Sequence, residues 1–314
     1  MNTGAAQRQV IGTHPRPLHA AYIYRHSLDC VAPLVFFAQE GLARGEAVSV
    51  GVLAPLGRLL RRALGEPGPR AAFFDMAELG RNPGRIIPAM LDFAAAHADR
   101  RLRYVSQPLW AGRSAAQAVE AMRHEALVNL AFAQANAAIL CLYDTGELGP
   151  HVASGAEQTH PAVIRDGQVR ASPRYAGQGQ IPPAYNRPLS TPPRVRPVFY
   201  QRDLRPVRQR VAQCAREAGL AADRAADLML AASEVAANTL GHTTGGGMLW
   251  VWPSPGEVVC QVQDSGNITD PLAGRWRPAD RPSGHGLWLV NQLCDLVELR
   301  TGPDGTAIRM HMCL

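Results

Sequence analysis

Two folds are predicted in one chain: an α/β domain with a largely parallel sheet, then an α+β sandwich with helices on one face of an antiparallel-rich sheet. Three observations predict this. From Ala20 to Tyr143 short apolar runs alternate with amphipathic helical patterns, the signature of a sheet whose strands are linked by helical crossovers. Residues 171–198 carry Pro182, Pro183, Pro188, Pro192, Pro193 and Pro197, which disfavours regular structure and marks a boundary. Beyond it, two helical patterns lead into strand patterns that include a hairpin. A length of 314 residues suits two domains, and a hydrophobic fraction of 46% supplies their cores.

Residues 1–16 are polar and expected to fray. Ala20–Tyr24 reads as a short strand. Asp29 opens a helical pattern through Leu34, Phe37 and Leu42 that stops at Gly45. Ala47–Leu53 is a β-branched apolar run, the mark of a buried strand. Pro55–Leu64 reads as a helix with proline in its first turn. Ala71–Phe74 is a short apolar run, Pro83–Asp99 a helix, Leu102–Ser106 a strand. Ser114–Gln134 reads as a long helix with Ala, Met, Leu and Phe on one face. Ala137–Tyr143 is a strand ending at Asp144, and ligands sit at the carboxyl ends of such strands. The proline-rich stretch reads as a semi-rigid linker or wrapping arm. Asp203 caps a helix through Val207, Val211 and Cys214. Ala222-Asp223 opens the next, with Leu228, Ala231, Ala232 and Val235 as its apolar stripe. Met248–Trp252 and Val258–Val262 are strands joined at Pro253–Gly256. Leu287–Leu293 is a helix entering the strand Val297–Arg300. A turn at Gly302–Gly305 precedes the last strand, Ala307–Met312.

Composition excludes some chemistry. All 32 basic residues are arginines, so no Gly-x-x-x-x-Gly-Lys-Ser/Thr phosphate loop exists. The net charge is +6, but the arginines are scattered and aromatics are only 6%, which argues against nucleic acid as partner. The six cysteines are far apart, without Cys-x-x-Cys, and fit buried reduced thiols of a cytoplasmic protein. The early residues hold no long apolar stretch, so no signal peptide is expected, and no apolar run of about 18 residues occurs anywhere, so no membrane span is expected either. No histidine is spaced for metal from another or from a cysteine. Surface or second-shell histidines are therefore expected, and His160-Pro161 fits a turn.

Three short pieces in the last third carry chemistry together. Glu234 and Asn238, in Ser-Glu-Val-Ala-Ala-Asn, are four apart and share a helix face, where a carboxylate and an amide oxygen can hold Mg²⁺ or position a hydroxyl. Asp264, in Gln-Asp-Ser-Gly, ends a strand-like run where its carboxylate can accept from a base amino group. Gly284 and Gly286, in Ser-Gly-His-Gly, open a helix, so bare N–H groups at its positive end can meet phosphate.

Residues 200–314 resemble the GHKL (Bergerat-fold) ATPases through these three pieces, which look like that family's N, G1 and G2 boxes. They are most similar to bacterial anti-sigma-factor serine kinases. The resemblance implies a two-layer sandwich that binds ATP with Mg²⁺. In it Asn238 carries the metal, Glu234 is the general base, Asp264 reads adenine, Gly266 fills the first G1 glycine, and Gly284 and Gly286 are lid glycines. It also implies a protein partner, a sigma factor or its antagonist, phosphorylated on serine, and a homodimer. Ile268 departs from the pattern by standing where a further glycine is usual. The lid, about 267–285, holds Arg275, Arg277 and Arg281, of which Arg281 is nearest the glycines.

Leu18–Tyr24, Gly41–Ala47, Tyr143-Asp144-Thr145 and Thr159-His160-Pro161 resemble a MEDS sensory domain. This implies a small-molecule signal for the first domain. The expected organisation is a tail at 1–16, a sensory domain at 17–170, a linker at 171–199 and an ATP-binding domain at 200–314. Two alternatives stay open: a non-catalytic nucleotide switch that sequesters a partner, and a sensor histidine kinase with His124 as phosphoacceptor.

Overall fold

The computed structural model describes residues 18–26, 28–65, 71–276 and 285–314. The N-terminal tail and the lid residues Arg277, Arg281 and Gly284 lie outside the described residues. The chain divides between Tyr185 and Asn186 into two compact units.

The first unit runs β1 (Leu18–Tyr24), α1 (Val31–Ala43), β2 (Ala47–Val52), α2 (Ala54–Leu64), β3 (Ala71–Asp75), α3 (Met76–Leu79), α4 (Ile86–Ala95), β4 (Leu102–Ser106), α5 (Ala115–Ala131), β5 (Ala137–Asp144), α6 (Thr145–Leu148), α7 (His151–Thr159), β6 (Ala162–Arg165) and β7 (Gln168–Ala171). Its seven strands are ordered β3-β2-β4-β5-β1-β6-β7. All pairs are parallel except the β6–β7 hairpin at the edge. Every residue of β2 and β5 is buried, as strands covered on both faces must be. Alternation along β1 and β5 assigns the two faces. Leu18, Ala20 and Tyr22 join Ala138, Leu140 and Leu142 against Leu34 and Phe37 of α1 and Leu56 and Leu60 of α2. His19 and Cys141 point the other way and meet each other and α5.

Four expectations change here. The helix expected over Pro83–Asp99 is a short 3₁₀ turn at Pro83–Arg85 followed by α4, which stops at Ala95. The Asn82 side chain accepts from the Gly84 N–H and fixes that tighter turn. Helix α5, expected to bury one face, is buried all round from Glu120 to Asn129. It is packed against α4, α7 and the turn at Pro183–Tyr185 as well. Third, α6, α7, β6 and β7 follow β5 without having been expected. The Asp166-Gly167 pair, both with positive φ, is a hairpin signal that could have found the last two. Fourth, His19, His124 and His160 are not surface residues but are buried.

The second unit runs β8 (Val198–Tyr200), α8 (Arg205–Glu217), α9 (Ala222–His242), β9 (Gly247–Ser254), β10 (Glu257–Asp264), α10 (His285–Leu293), β11 (Leu296–Gly302) and β12 (Gly305–Cys313). Its sheet, β11-β12-β10-β9-β8, is antiparallel throughout. One face carries Val258, Cys260, Val262, Ile308, Met310 and Met312 into a core with the apolar stripes of α8, α9 and α10. The Asp203 carboxylate accepts from the Arg205 N–H at 2.9 Å, but the N-cap of α8 is Leu204, one residue later than the expected cap. The other sheet face carries a polar network. There Arg309 donates to Gln261 and to the Ser190 carbonyl, and Arg300 donates to the Arg187 carbonyl. The later half of the proline-rich arm is thus tied to this face. Its earlier half bonds within the first unit, where the Ala176 N–H meets the Gln158 carbonyl.

His311 sits in that network between Glu257 and Glu298, with Arg309 and Arg300 beside Glu298. Burial by itself lowers the pKa of this imidazole, but hydrogen bonds to the two carboxylates overturn that and push it up to about 9. A pKa raised in the folded state contributes stability below the unfolded value, near 6.5, and loses it as pH rises through about 9. The second unit is therefore expected to lose up to about 3 kcal/mol of unfolding free energy between these pH values. Denaturant midpoints across that range should show the loss, and His311→Gln should flatten it.

Candidate nucleotide site

Helix α9 carries the first part of the site. Its core row includes Leu228, Ala231, Ala232, Val235 and Thr239. Glu234 and Asn238 lie off that row, half-buried and one turn apart. The start of α10 closes on them. A Cβ built at Gly286 would stand 3.2 Å from Glu234 Oε2 and 3.2 Å from Asn238 Nδ2. Glycine at 286 lets this backbone approach the carboxylate–amide pair without the few tenths of an ångström of displacement that a Cβ would ask of those side chains.

Asp264, the last residue of β10, forms the second part. Its Oδ1 accepts from the Gly266 N–H at 2.8 Å, and its Oδ2 accepts from Thr239 Oγ1 at 2.6 Å. Thr239 in turn accepts from the Tyr200 hydroxyl at 3.0 Å. Burial pushes the Tyr200 phenol up to about 12, so it stays a donor. The chain Tyr200–Thr239–Asp264 fixes the carboxylate while each oxygen keeps lone-pair capacity for a further donor. Because Asn238 and Thr239 are neighbours on α9, the same helix turn positions both halves of the site.

The backbone after Asp264 is pinned to the β11–β12 turn. The Gly266 carbonyl accepts from Thr306 Oγ1 at 2.8 Å, and the Ile268 N–H donates to Thr301 Oγ1 at 3.0 Å. Ile268 packs its side chain against the core, which gives the departure at this position a physical reason. Arg275 is buried in a turn where its N–H meets the Leu272 carbonyl. Asn291 of α10 donates to the Gly274 carbonyl at 3.2 Å and ties that turn to the helix.

The structure thus brings Glu234, Asn238 and Gly286 together, and Asp264 with Gly266, with Thr239 linking the two groups. Gly284 lies outside the described residues. Sequence reasoning missed Thr239 and Tyr200. A hydroxyl on the apolar row of α9 was the signal for the first. His124, weighed as a phosphoacceptor, is only 1% exposed inside the first unit, so it offers no surface for phosphoryl transfer.

Residues 18–161 match the family model of MEDS, the methanogen/methylotroph, DcmR sensory domain, and residues 200–312 match that of the histidine kinase-like ATPase domain. No curated protein matches the chain. Among the described residues no helix is long and apolar enough to cross a membrane.

Proposed function

We propose that this chain, a MEDS sensory domain followed by a histidine kinase-like ATPase domain, is a cytoplasmic signalling regulator whose second unit binds Mg-ATP and phosphorylates a partner protein on serine. The observation that carries the reading is the close approach of Gly286 to the Glu234–Asn238 pair, with Asp264 fixed from the same helix through Thr239. The donor set suits the ligand. The Asn238 amide oxygen is a hard ligand for Mg²⁺. Asp264 accepts from an adenine amino group. The backbone N–H groups at the start of α10, beside Gly286, suit a phosphate at a helix start. Bound Mg-ATP supplies the phosphoryl group, and the protein's contribution is positioning and charge compensation. Glu234 accepts the proton of the incoming serine hydroxyl.

Calorimetric titration of Mg-ATP tests the site. Asn238→Ala and Asp264→Asn are each expected to weaken binding by about tenfold to a hundredfold, the worth of a hydrogen bond involving a charged group. A folded wild type that takes up no nucleotide would overturn the assignment.

A second reading, a nucleotide-binding switch that sequesters a sigma factor or an antagonist without phosphorylating it, is favoured by Ile268. Its N–H and side chain hold rigid a segment where the resembled kinases have a flexible glycine. A phosphotransfer assay with candidate partners separates the two, and sedimentation tests the expected homodimer.

A further inference from the structure

We propose that the first unit holds a transition-metal site formed by His19, Glu125, Cys141 and His160, suited to Zn²⁺. The four residues come from β1, α5, β5 and the residue after α7, and all are buried. One ligand atom from each lies within 4.8 Å of the others. The close spacings are 2.9 Å from His160 Nε2 to Glu125 Oε2, 3.2 Å from His19 Nε2 to the same oxygen, and 3.4 Å from His19 Nε2 to Cys141 Sγ. A tetrahedral Zn²⁺ with Zn–N near 2.0–2.1 Å and Zn–S near 2.3 Å places neighbouring ligand atoms about 3.3–3.6 Å apart. Small side-chain adjustments therefore seat the ion.

The hydrogen bonds around the cluster aim the ligands inward. His160 Nδ1 is 2.9 Å from the Ala156 carbonyl, which can only accept, so Nδ1 carries a hydrogen and, in the neutral ring that binds a metal, Nε2 the lone pair. Asn129 orients His19 in the same way. Its Nδ2 is committed to the carbonyls of Thr159, Ala126 and Glu125, so its Oδ1 accepts from His19 Nδ1 at 2.9 Å. Both imidazoles thus turn lone pairs toward a single carboxylate oxygen. Three electron-rich groups facing each other in a dry interior repel unless a cation lies between them. Glu125 Oε1 accepts no hydrogen bond although the residue is fully buried; its neighbour there is His124 Nε2, 3.6 Å away. Oriented imidazoles, with a backbone carbonyl and an asparagine behind them, are the outer-shell pattern of metal-ligating histidines. Two imidazoles, a thiolate and a carboxylate make a borderline-soft set that favours Zn²⁺ over Mg²⁺ or Ca²⁺. Binding displaces the Cys141 proton to solvent.

The test uses the full chain, stripped by a strong chelator and reloaded with Zn²⁺ or Co²⁺. The wild type is expected to retain one equivalent of Zn²⁺ through gel filtration. Its Co²⁺ form should show a thiolate-to-cobalt charge-transfer band and ligand-field absorption of tetrahedral strength. Cys141→Ser should abolish the charge-transfer band, and His160→Ala should lower metal retention at least about tenfold. Circular dichroism checks that the variants are folded. The proposal is overturned if the folded wild type retains less than a tenth of an equivalent after exposure to excess Zn²⁺. It is equally overturned if the Co²⁺ form has no charge-transfer band, or if folded Cys141→Ser and His160→Ala both bind as the wild type does.

Discussion

Replacing Glu234 by glutamine is expected to slow ATP turnover by about 10²–10⁴-fold while Mg-ATP affinity stays nearly unchanged. Glutamine keeps the size of the side chain and its place beside Asn238 and Gly286. What it loses is the capacity to take a proton from an attacking hydroxyl. The proposed nucleotide contacts of Asn238 and Asp264 are untouched, so binding and chemistry should separate. Steady-state hydrolysis by the chain alone measures the first, and calorimetry the second. Equal turnover in wild type and variant would remove Glu234 from the role of base. A wild type that binds Mg-ATP tightly without consuming it, even with partner proteins present, would favour the sequestering switch.

Gly305→Ala is expected to destabilise the second unit by roughly 2–4 kcal/mol, the combined scale of backbone strain at positive φ and of a steric clash in a packed site. Gly305 has φ +105°, and a Cβ there would run into the Asp264 carbonyl oxygen and crowd Ser265 Cα. Relief requires the end of β10 to move away from β12, taking with it the carboxylate that Thr239 orients. The variant should therefore lose nucleotide affinity along with thermal stability. Gly302→Ala is the control, because a Cβ at Gly302 meets open space. Thermal melts with and without Mg-ATP measure both effects. A Gly305→Ala protein that melts like the wild type would show that the β11–β12 turn does not set Asp264.

These two residues differ in how far the sequence exposed them. Glu234 was legible because helix periodicity alone puts it one turn from Asn238 on a common face. Gly305 was legible only as a turn residue. Its role depends on the strand pairing that brings Thr306 opposite Asp264. The α/β and α+β layers followed from the order and period of the apolar runs. Helix α5 misled, because its Ala-rich pattern reads as one apolar face, whereas Arg123, His124 and Glu125 are buried too. Polar residues can enter a core when partners from other elements satisfy them, and no local pattern reports those partners.

By itself the sequence determined much of the local geometry: where the longer helices lie, which strand faces are apolar, and the shared face of Glu234 and Asn238. It also placed glycine at 286, where a Cβ would crowd Glu234 and Asn238. Only the tertiary structure decided that Thr239 and Tyr200 hold Asp264, and that His19, Glu125, Cys141 and His160 converge in one buried cluster. The physical reason is one of range. Backbone periodicity fixes neighbours within a turn or a pleat, whereas contacts between distant elements depend on which faces pack together and in what register.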